Sequence, residues 1–425
     1  MTRRIGMLTV SALSTCVLVS CAHIQPAQKS LNTADDTLSR SFRAQETAFN
    51  DAANAAAKEQ AKAAIDTLCS QGYGVACTWL GRQYYTGGRD SESDMKATQY
   101  FRLGCNVNDG QGCLALGLSF EFGTGSPKEP STAVILYRKS CDLKYADGCG
   151  ALGIMYVNGS GVAVDANKGL KLLTTACRQK SYGYCLQLGL VNDYNENVVR
   201  DRALARTLYQ LSCSGGETKA CLELADSLRS LPVDQTNPSR IRSLYRAACE
   251  KSNARGCVGL GQCYQQGIGG PTDTLSASKA YLLGCKYRSG YGCWHAGMLL
   301  EKTNGTEGKT QALRVYREGC RLENARSCNH LGIMMENGKD SNISETATVY
   351  WKGCSLGDEY ACRNLGELLL KHPKLKYNAI ETAKVLQRQC DGGKLRSCTV
   401  FGRMLYHGRA GLKSTSKGVE YLTKA

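Results

Sequence analysis

Twenty-three cysteines are the side chains with the most chemistry to offer in this 425-residue sequence. Thiols can ligate metals, attack substrates or pair as disulfides, and their spacing separates those uses. With Cys16, Cys21 and Cys263 set aside, the other twenty fall into ten pairs with seven residues between members. The pairs are Cys69 and Cys77, Cys105 and Cys113, Cys141 and Cys149, Cys177 and Cys185, Cys213 and Cys221, Cys249 and Cys257, Cys285 and Cys293, Cys320 and Cys328, Cys354 and Cys362, and Cys390 and Cys398. Zinc needs tight Cys-x-x-Cys pairs or Cys and His clusters. Only Cys293 with His295 and Cys328 with His330 come near, so neither a metal nor another cofactor is expected. One cysteine in about eighteen residues points instead to an oxidising compartment.

The N-terminus agrees with that compartment. Arg3 and Arg4 precede an apolar stretch of sixteen residues, Ile5 to Ser20, shorter than the roughly 20 needed to span a bilayer. Residues 1–20 therefore read as a removable signal peptide. The run ends Leu18, Val19, Ser20, Cys21, which resembles the bacterial lipobox and makes Cys21 the lipid acceptor. With Ala22 next rather than aspartate, the resemblance implies an outer-membrane lipoprotein, periplasmic or surface-exposed. Residues 21–46 are polar and without periodicity, and read as a lipidated flexible stalk. No second hydrophobic run reaches membrane length, so membrane contact is expected through the lipid alone.

The remainder is too long for one core, since single cores stop growing at roughly 250 to 300 residues. Its 42% hydrophobic and 21% charged residues exclude wholesale disorder, and seven prolines against 46 glycines exclude collagen-like and proline-rich designs. The formal charge of +16 falls by two when Arg3 and Arg4 are removed. Such a balance often means nucleic acid, but an exported chain seldom meets it. An acidic envelope component is the expected partner class, with no nucleic acid.

Successive cysteine pairs start 36 residues apart, except for one step of 35 and one of 34, the signature of a solenoid. Four residues after each second cysteine stands Gly81, Gly117, Gly153, Gly189, Ala225, Gly261, Gly297, Gly332, Gly366 or Gly402. Glycine inside a helix costs about 1 kcal/mol against alanine, so these positions need a close neighbour. An apolar residue precedes each one, as Leu80, Leu116 and Leu152, and defines the buried stripe of a first helix. A second helix runs to the next pair. Its start is expected at Ser93, Asp165, Asp201, Asn237, Asp273, Asn342, Asn378 and Ser414, all good N-caps, with Glu129 and Gly308 departing. Four residues before each first cysteine, a bulky side chain such as Phe101, Tyr137, Leu173 or Tyr350 is expected to face the core.

Residues 149 to 177, CGALGIMYVNGSGVAVDANKGLKLLTTAC, resemble the Sel1-like repeat, with its LG, aromatic, GxGV loop and DxxK helix start in order. The resemblance covers residues 47–425 and implies an all-α fold, an αα solenoid superhelix of about ten 36-residue repeats related to tetratricopeptide arrays. The paired cysteines resemble those of the cysteine-rich branch typified by Helicobacter cysteine-rich proteins. Each seven-residue spacer then joins the end of one helix to the start of the next, a corner that brings two thiols within bridging distance. One disulfide per repeat follows, each contributing about 2.5 kcal/mol in the chain-entropy model. Cys263, outside the pairs, reads as a buried free thiol.

Some relatives in that branch are described as penicillin-binding proteins or β-lactamases, which makes such an enzyme the alternative function. Ser93 with Lys96, Ser276 with Lys279 and Ser414 with Lys417 match SxxK, but no SDN or KTG motif follows, and two of the serines sit at expected helix caps. GxSxG, HExxH and P-loop motifs are absent, and His23, His295, His330, His372 and His407 offer no triad. No catalytic residue is assigned.

First helices of αα solenoids commonly line the binding face, and positions that differ between repeats are candidates for contact. The row two residues after the second cysteine varies most, and supplies Trp79, Gln187, Glu223, His295, His330 and Asn364, with Trp294 adjacent. A protein or peptide is the expected ligand. At the other end, Val419, Tyr421 and Leu422 have no following helix to cover them, which suggests a longer parent protein or a contact with another chain. Cys21→Ser is expected to move the protein from the membrane to the soluble fraction with its array folded. Fractionation that leaves the variant with the membranes refutes the lipid anchor.

Overall fold

The computed structural model describes residues 33–425 apart from 233–236, 303–304, 339–341, 376, 410 and 412. The signal peptide and Cys21 lie outside the described residues. Every regular element among the described residues is a helix, and the 22 helices form a repeat solenoid. Within residues 1–220, one compact unit, α1 (Thr33–Asp51), α2 (Ala55–Ser70), α3 (Gly74–Tyr84), α4 (Ser91–Asn106), α5 (Gly110–Phe122), α6 (Pro130–Asp142), α7 (Ala146–Asn158), α8 (Ala166–Arg178), α9 (Tyr182–Tyr194) and α10 (Arg202–Ser214) follow in order. After α11 (Thr218–Arg229), the second unit, residues 221–425, continues with α12 (Pro238–Glu250), α13 (Ala254–Gln266), α14 (Thr274–Lys286), α15 (Gly290–Glu301), α16 (Thr306–Arg321), α17 (Ala325–Glu336), α18 (Ile343–Ser355), α19 (Glu359–Lys371), α20 (Ala379–Asp391), α21 (Leu395–Tyr406) and α22 (Thr415–Thr423). Inside each unit a helix packs on its sequence neighbours, and odd-numbered helices also pack on one another, as α3 on α5 and α19 on α21.

Helix starts follow side-chain chemistry. Asp165, Asp201, Asn237, Asp273, Asn342 and Ser414 each accept a hydrogen bond from a first-turn backbone N–H, as the sequence leads one to expect. Ser93 does not cap α4. Asp90 does, accepting from the Glu92 N–H at 3.2 Å, and the Ser93 hydroxyl bonds back to Asp90 in the first turn. Asp90 competes successfully because a carboxylate is the stronger acceptor. Asn378 stands at its cap position with φ of 47° and no capping bond.

The helical glycines have the packing reason their cost requires. A Cβ built at Gly117 would lie 2.5 Å from the Tyr137 ring, at Gly297 2.4 Å from Tyr316, and at Gly332 2.5 Å from Tyr350. The bulky row therefore packs directly against the backbone of the preceding helix, and these tyrosines are buried. Their hydroxyls reach past the glycine to a polar group. Tyr137 donates to Glu121 at 2.5 Å, Tyr281 to Gln265 at 2.8 Å, Tyr316 to Glu301 at 3.1 Å and Tyr350 to Glu336 at 2.9 Å. That satisfies the one polar atom an otherwise apolar ring would bury.

Residues 33–46 differ from the expected flexible stalk: they lie in α1. Leu38, Phe42 and Phe49 make a sparse apolar stripe on an otherwise polar helix and pack on Trp79 and its neighbours. Three contacts in nineteen residues are too few to register as periodicity, yet they suffice once a partner surface exists. At the other end, Tyr421 meets Phe401 edge-on at 4.7 Å and Leu422 covers Gly402, so of the terminal apolar trio only Val419 stays exposed. Gly117→Ala or Gly332→Ala should destabilise the oxidised protein by about 1–3 kcal/mol, as overpacking does. Denaturant unfolding checks this, and a midpoint equal to the parent's would refute the direct packing.

Candidate functional site

Nine of the expected disulfides have their Cα atoms 4.4 to 4.7 Å apart, from Cys69–Cys77 to Cys390–Cys398. Cys213 and Cys221 are disulfide-bonded as well. These thiols are consumed in structure. Two features that the sequence reading passed over make the corner possible. The residue three after the first cysteine is left-handed every time, whether Gly72, Gly216, Gly357 and Gly393 or Asn108, Lys144, Lys180, Ser252, Arg288 and Glu323. The residue before the second cysteine is usually small, as Ala76, Gly112, Gly148, Gly256, Gly292 and Ser327, and a Cβ at Gly112 would come 2.9 Å from the Cys105 nitrogen. The signal was present as a small residue beside a conspicuous one.

Cys263 is free and buried, and burial pushes its thiol up to about 11. It is a poor nucleophile there. The SxxK serines serve helix starts: Ser414 Oγ accepts from the Lys417 N–H, Ser93 bonds Asp90, and Ser276 gives its N–H to Asp273. Lys96 lies over the Tyr84 ring, 4.4 Å from its centroid. His372 ends α19, and His407 meets Tyr406 edge-on at 5.2 Å.

The variable row divides. Trp79, a candidate for contact with a ligand, is only 8% exposed, because Phe42 and Phe49 of α1 close on it edge-on at 6.4 and 4.9 Å. Gln187 is half-buried on α9. Glu223 belongs to a charge cluster in which Arg255 bonds it at 2.7 Å and also bonds Asp226. The remaining four are gathered on α15, α17 and α19.

There the backbone row two after the second cysteine lies directly over the buried tyrosine of the preceding helix. His295 stacks on Tyr281 at 4.8 Å and 16°, and His330 on Tyr316 at 5.1 Å and 19°. Trp294 and Tyr291 meet His295 edge-on, each at 4.4 Å. Arg326 covers Trp294 at 4.5 Å, Arg363 covers Tyr360 at 4.7 Å, and Asn364 donates to Asn329 at 2.8 Å. Both ring nitrogens of His295 and the indole N–H of Trp294 are buried without a hydrogen-bond partner among the described residues. The face thus alternates arginines with aromatic rings and keeps three polar atoms unsatisfied.

Burial, reinforced by Arg326, pushes His295 down to about 4. His330 is lowered by burial too, though Glu301, 3.8 Å from its Nδ1, and Asp358 oppose the shift. The unfolded chain protonates the His295 ring near the ordinary 6.5, so between that pH and about 4 it binds more protons than the fold does. This group's share of stability is complete above pH 6.5 and is lost as the pH falls toward 4. His295→Phe, which keeps a ring on Tyr281, should flatten that part of the decline, measured by unfolding across the range. An NMR titration of His295 near 6.5 would refute the shift.

No helix among the described residues is long and apolar enough to cross a membrane. The family model described as Sel1 repeat matches residues 74–109, 110–145, 146–181, 179–217, 254–283 and 401–425. The crystal structure of a protective antigen present in uropathogenic Escherichia coli strains, displaying an SLR fold, is similar with a TM-score of 0.58 and 22% identity, over 85% of this chain and 78% of that one. A Sel1 repeat protein from Oxalobacter formigenes is similar with a TM-score of 0.52 and 18% identity, over 84% of this chain and 99% of that one. No curated protein matches the chain. At these identities the structures speak for the fold, and the repeat matches speak for the sequence that makes it. With its helices paired at a 36-residue spacing, the chain carries six stretches that fit the Sel1 repeat model, within a helical solenoid similar to those two structures.

Proposed function

We propose that this chain is a cell-envelope lipoprotein, tethered to the outer membrane through Cys21, whose oxidised solenoid binds a protein or peptide along α15, α17 and α19. The disulfides at the repeat corners carry the reading, since bridges of this number form and persist outside the reducing cytosol. The binding role is supported by the face just described. Tryptophan, tyrosine and arginine are the side chains that concentrate binding energy at interfaces, and Trp294, Arg326, Tyr360 and Arg363 stand on three consecutive odd helices. The two arginines favour a ligand with acidic residues, in keeping with a basic chain in the envelope.

The test is photo-crosslinking in intact cells, with the reactive side chain placed at Tyr291 or Arg326 and, as control, at Lys309. Discrete adducts from the first two positions, weakened at least about tenfold by Trp294→Ala, are expected for a hot-spot residue. Adducts that are absent, or equal from all three positions, overturn the assignment of the binding face.

A further inference from the structure

The even-numbered helices of the second unit turn a different face outward. α12, α14 and α16 lie side by side. In α14 the residues Ala277, Ala280, Tyr281 and Cys285 point into the core, which leaves Leu275, Lys279, Leu283 and Lys286 in one outward stripe at helical spacing. Leu275 is 66% exposed and Leu283 40%. Arg246 of α12, which also donates to the Tyr264 hydroxyl at 3.3 Å, lies on one side of this stripe, and Arg314 and Arg317 of α16 on the other, all exposed. The exposed acids on these helices are few: Glu250 and Glu307, while Glu318 is held by Arg321 at 2.6 Å. The next even helices do not continue the pattern. The outward residues of α18 include Ser344, Thr348 and Ser355, and on α20 Lys384 is paired with Glu381 at 2.9 Å.

We propose that the outward face of α12, α14 and α16 docks on an anionic lipid surface, with Leu275 and Leu283 entering the headgroup boundary and the surrounding lysines and arginines meeting lipid phosphates. Two exposed leucines inside a basic field are the composition of an interfacial membrane contact, in which apolar insertion and charge attraction add. A nucleic acid or another polyanion would reward the charges and leave the leucines in water. This surface is distinct from the odd-helix face, and the proposal does not rest on the binding role given to that face.

The experiment uses the full chain carrying Cys21→Ser, so that no lipid anchors it, and measures co-sedimentation with phosphatidylcholine vesicles made with or without phosphatidylglycerol. The protein should bind the phosphatidylglycerol vesicles selectively and be released by salt. Lys279→Glu, Arg314→Glu and Arg317→Glu together should weaken partitioning at least about 100-fold, from about a factor of five for each of the positive charges removed. Leu275→Ser with Leu283→Ser should weaken it at least about 10-fold. All five side chains are exposed, so both variants should unfold with the parent. Equal binding to the two vesicle types, or unchanged binding by the charge variant, overturns the proposal. Loss with the charge variant alone, and equal binding of duplex DNA by the leucine variant and the parent, would mark a general polyanion site and also overturn it.

Discussion

The structure depends on how closely two helix ends can be held at each repeat corner. Cα atoms 4.4 to 4.7 Å apart leave no room for an ordinary turn between bulky residues. The disulfide, the left-handed residue and the small residue before the second cysteine are three parts of one solution to that crowding. A single helix pair cannot bury a core of its own, so a solenoid survives only if each pair is presented to the next at a constant angle. A covalent corner fixes that angle locally. Because its loop is short, the bridge contributes about 2.5 kcal/mol by restricting the unfolded chain, and it does so within one repeat without waiting for distant contacts.

The second requirement, close helix approach, follows from the first. Once the corner sets the angle, the tyrosine of one helix comes down on the preceding helix at a fixed height, and glycine is the residue that fits beneath it, with Ala225 the one departure in the row. The hydroxyl then emerges at the far side, where Glu121, Gln265, Glu301 or Glu336 accepts it. The cost of glycine in a helix is offset by burial of a whole aromatic ring. The repeat can therefore tolerate steps of 34 and 35 residues, since the lost residues fall between the glycine and the tyrosine, where α15 and α17 have 12 residues against 13 in α7, and leave the corner and the tyrosine contact in place.

What the sequence made legible were the features with a fixed offset from a cysteine: the pairing, the glycine row, the bulky row and most N-caps. What it hid were features defined by a partner elsewhere. Trp79 was read as a contact candidate because the stripe Leu38, Phe42 and Phe49 that covers it is diluted in a polar segment. Asp90 took the cap from Ser93 because α4 starts earlier than its counterparts, a shift that the cysteine count cannot register. Lys144, Lys180 and Arg288 carry no compositional mark of their left-handed backbone, since the corner imposes it on whatever residue stands there. The basic stripe of α12, α14 and α16 was likewise invisible in the net charge, which says nothing of where charges gather.

Variation in the row above the buried tyrosines has two causes, and the structure separates them. Packing sets the choice at three of these positions: a Cβ on Gly259 would lie 2.4 Å from the Tyr245 ring, whereas His295 and His330 meet theirs as nearly parallel plates. That constraint explains a ring, and phenylalanine would meet it without burying polar atoms. It does not explain why the ring at 295 carries two nitrogens that find no partner, next to an indole N–H in the same state. An unsatisfied buried polar group costs about 1–3 kcal/mol. A fold that pins its corners with disulfides, Cys285–Cys293 among them, can carry that deficit on α15.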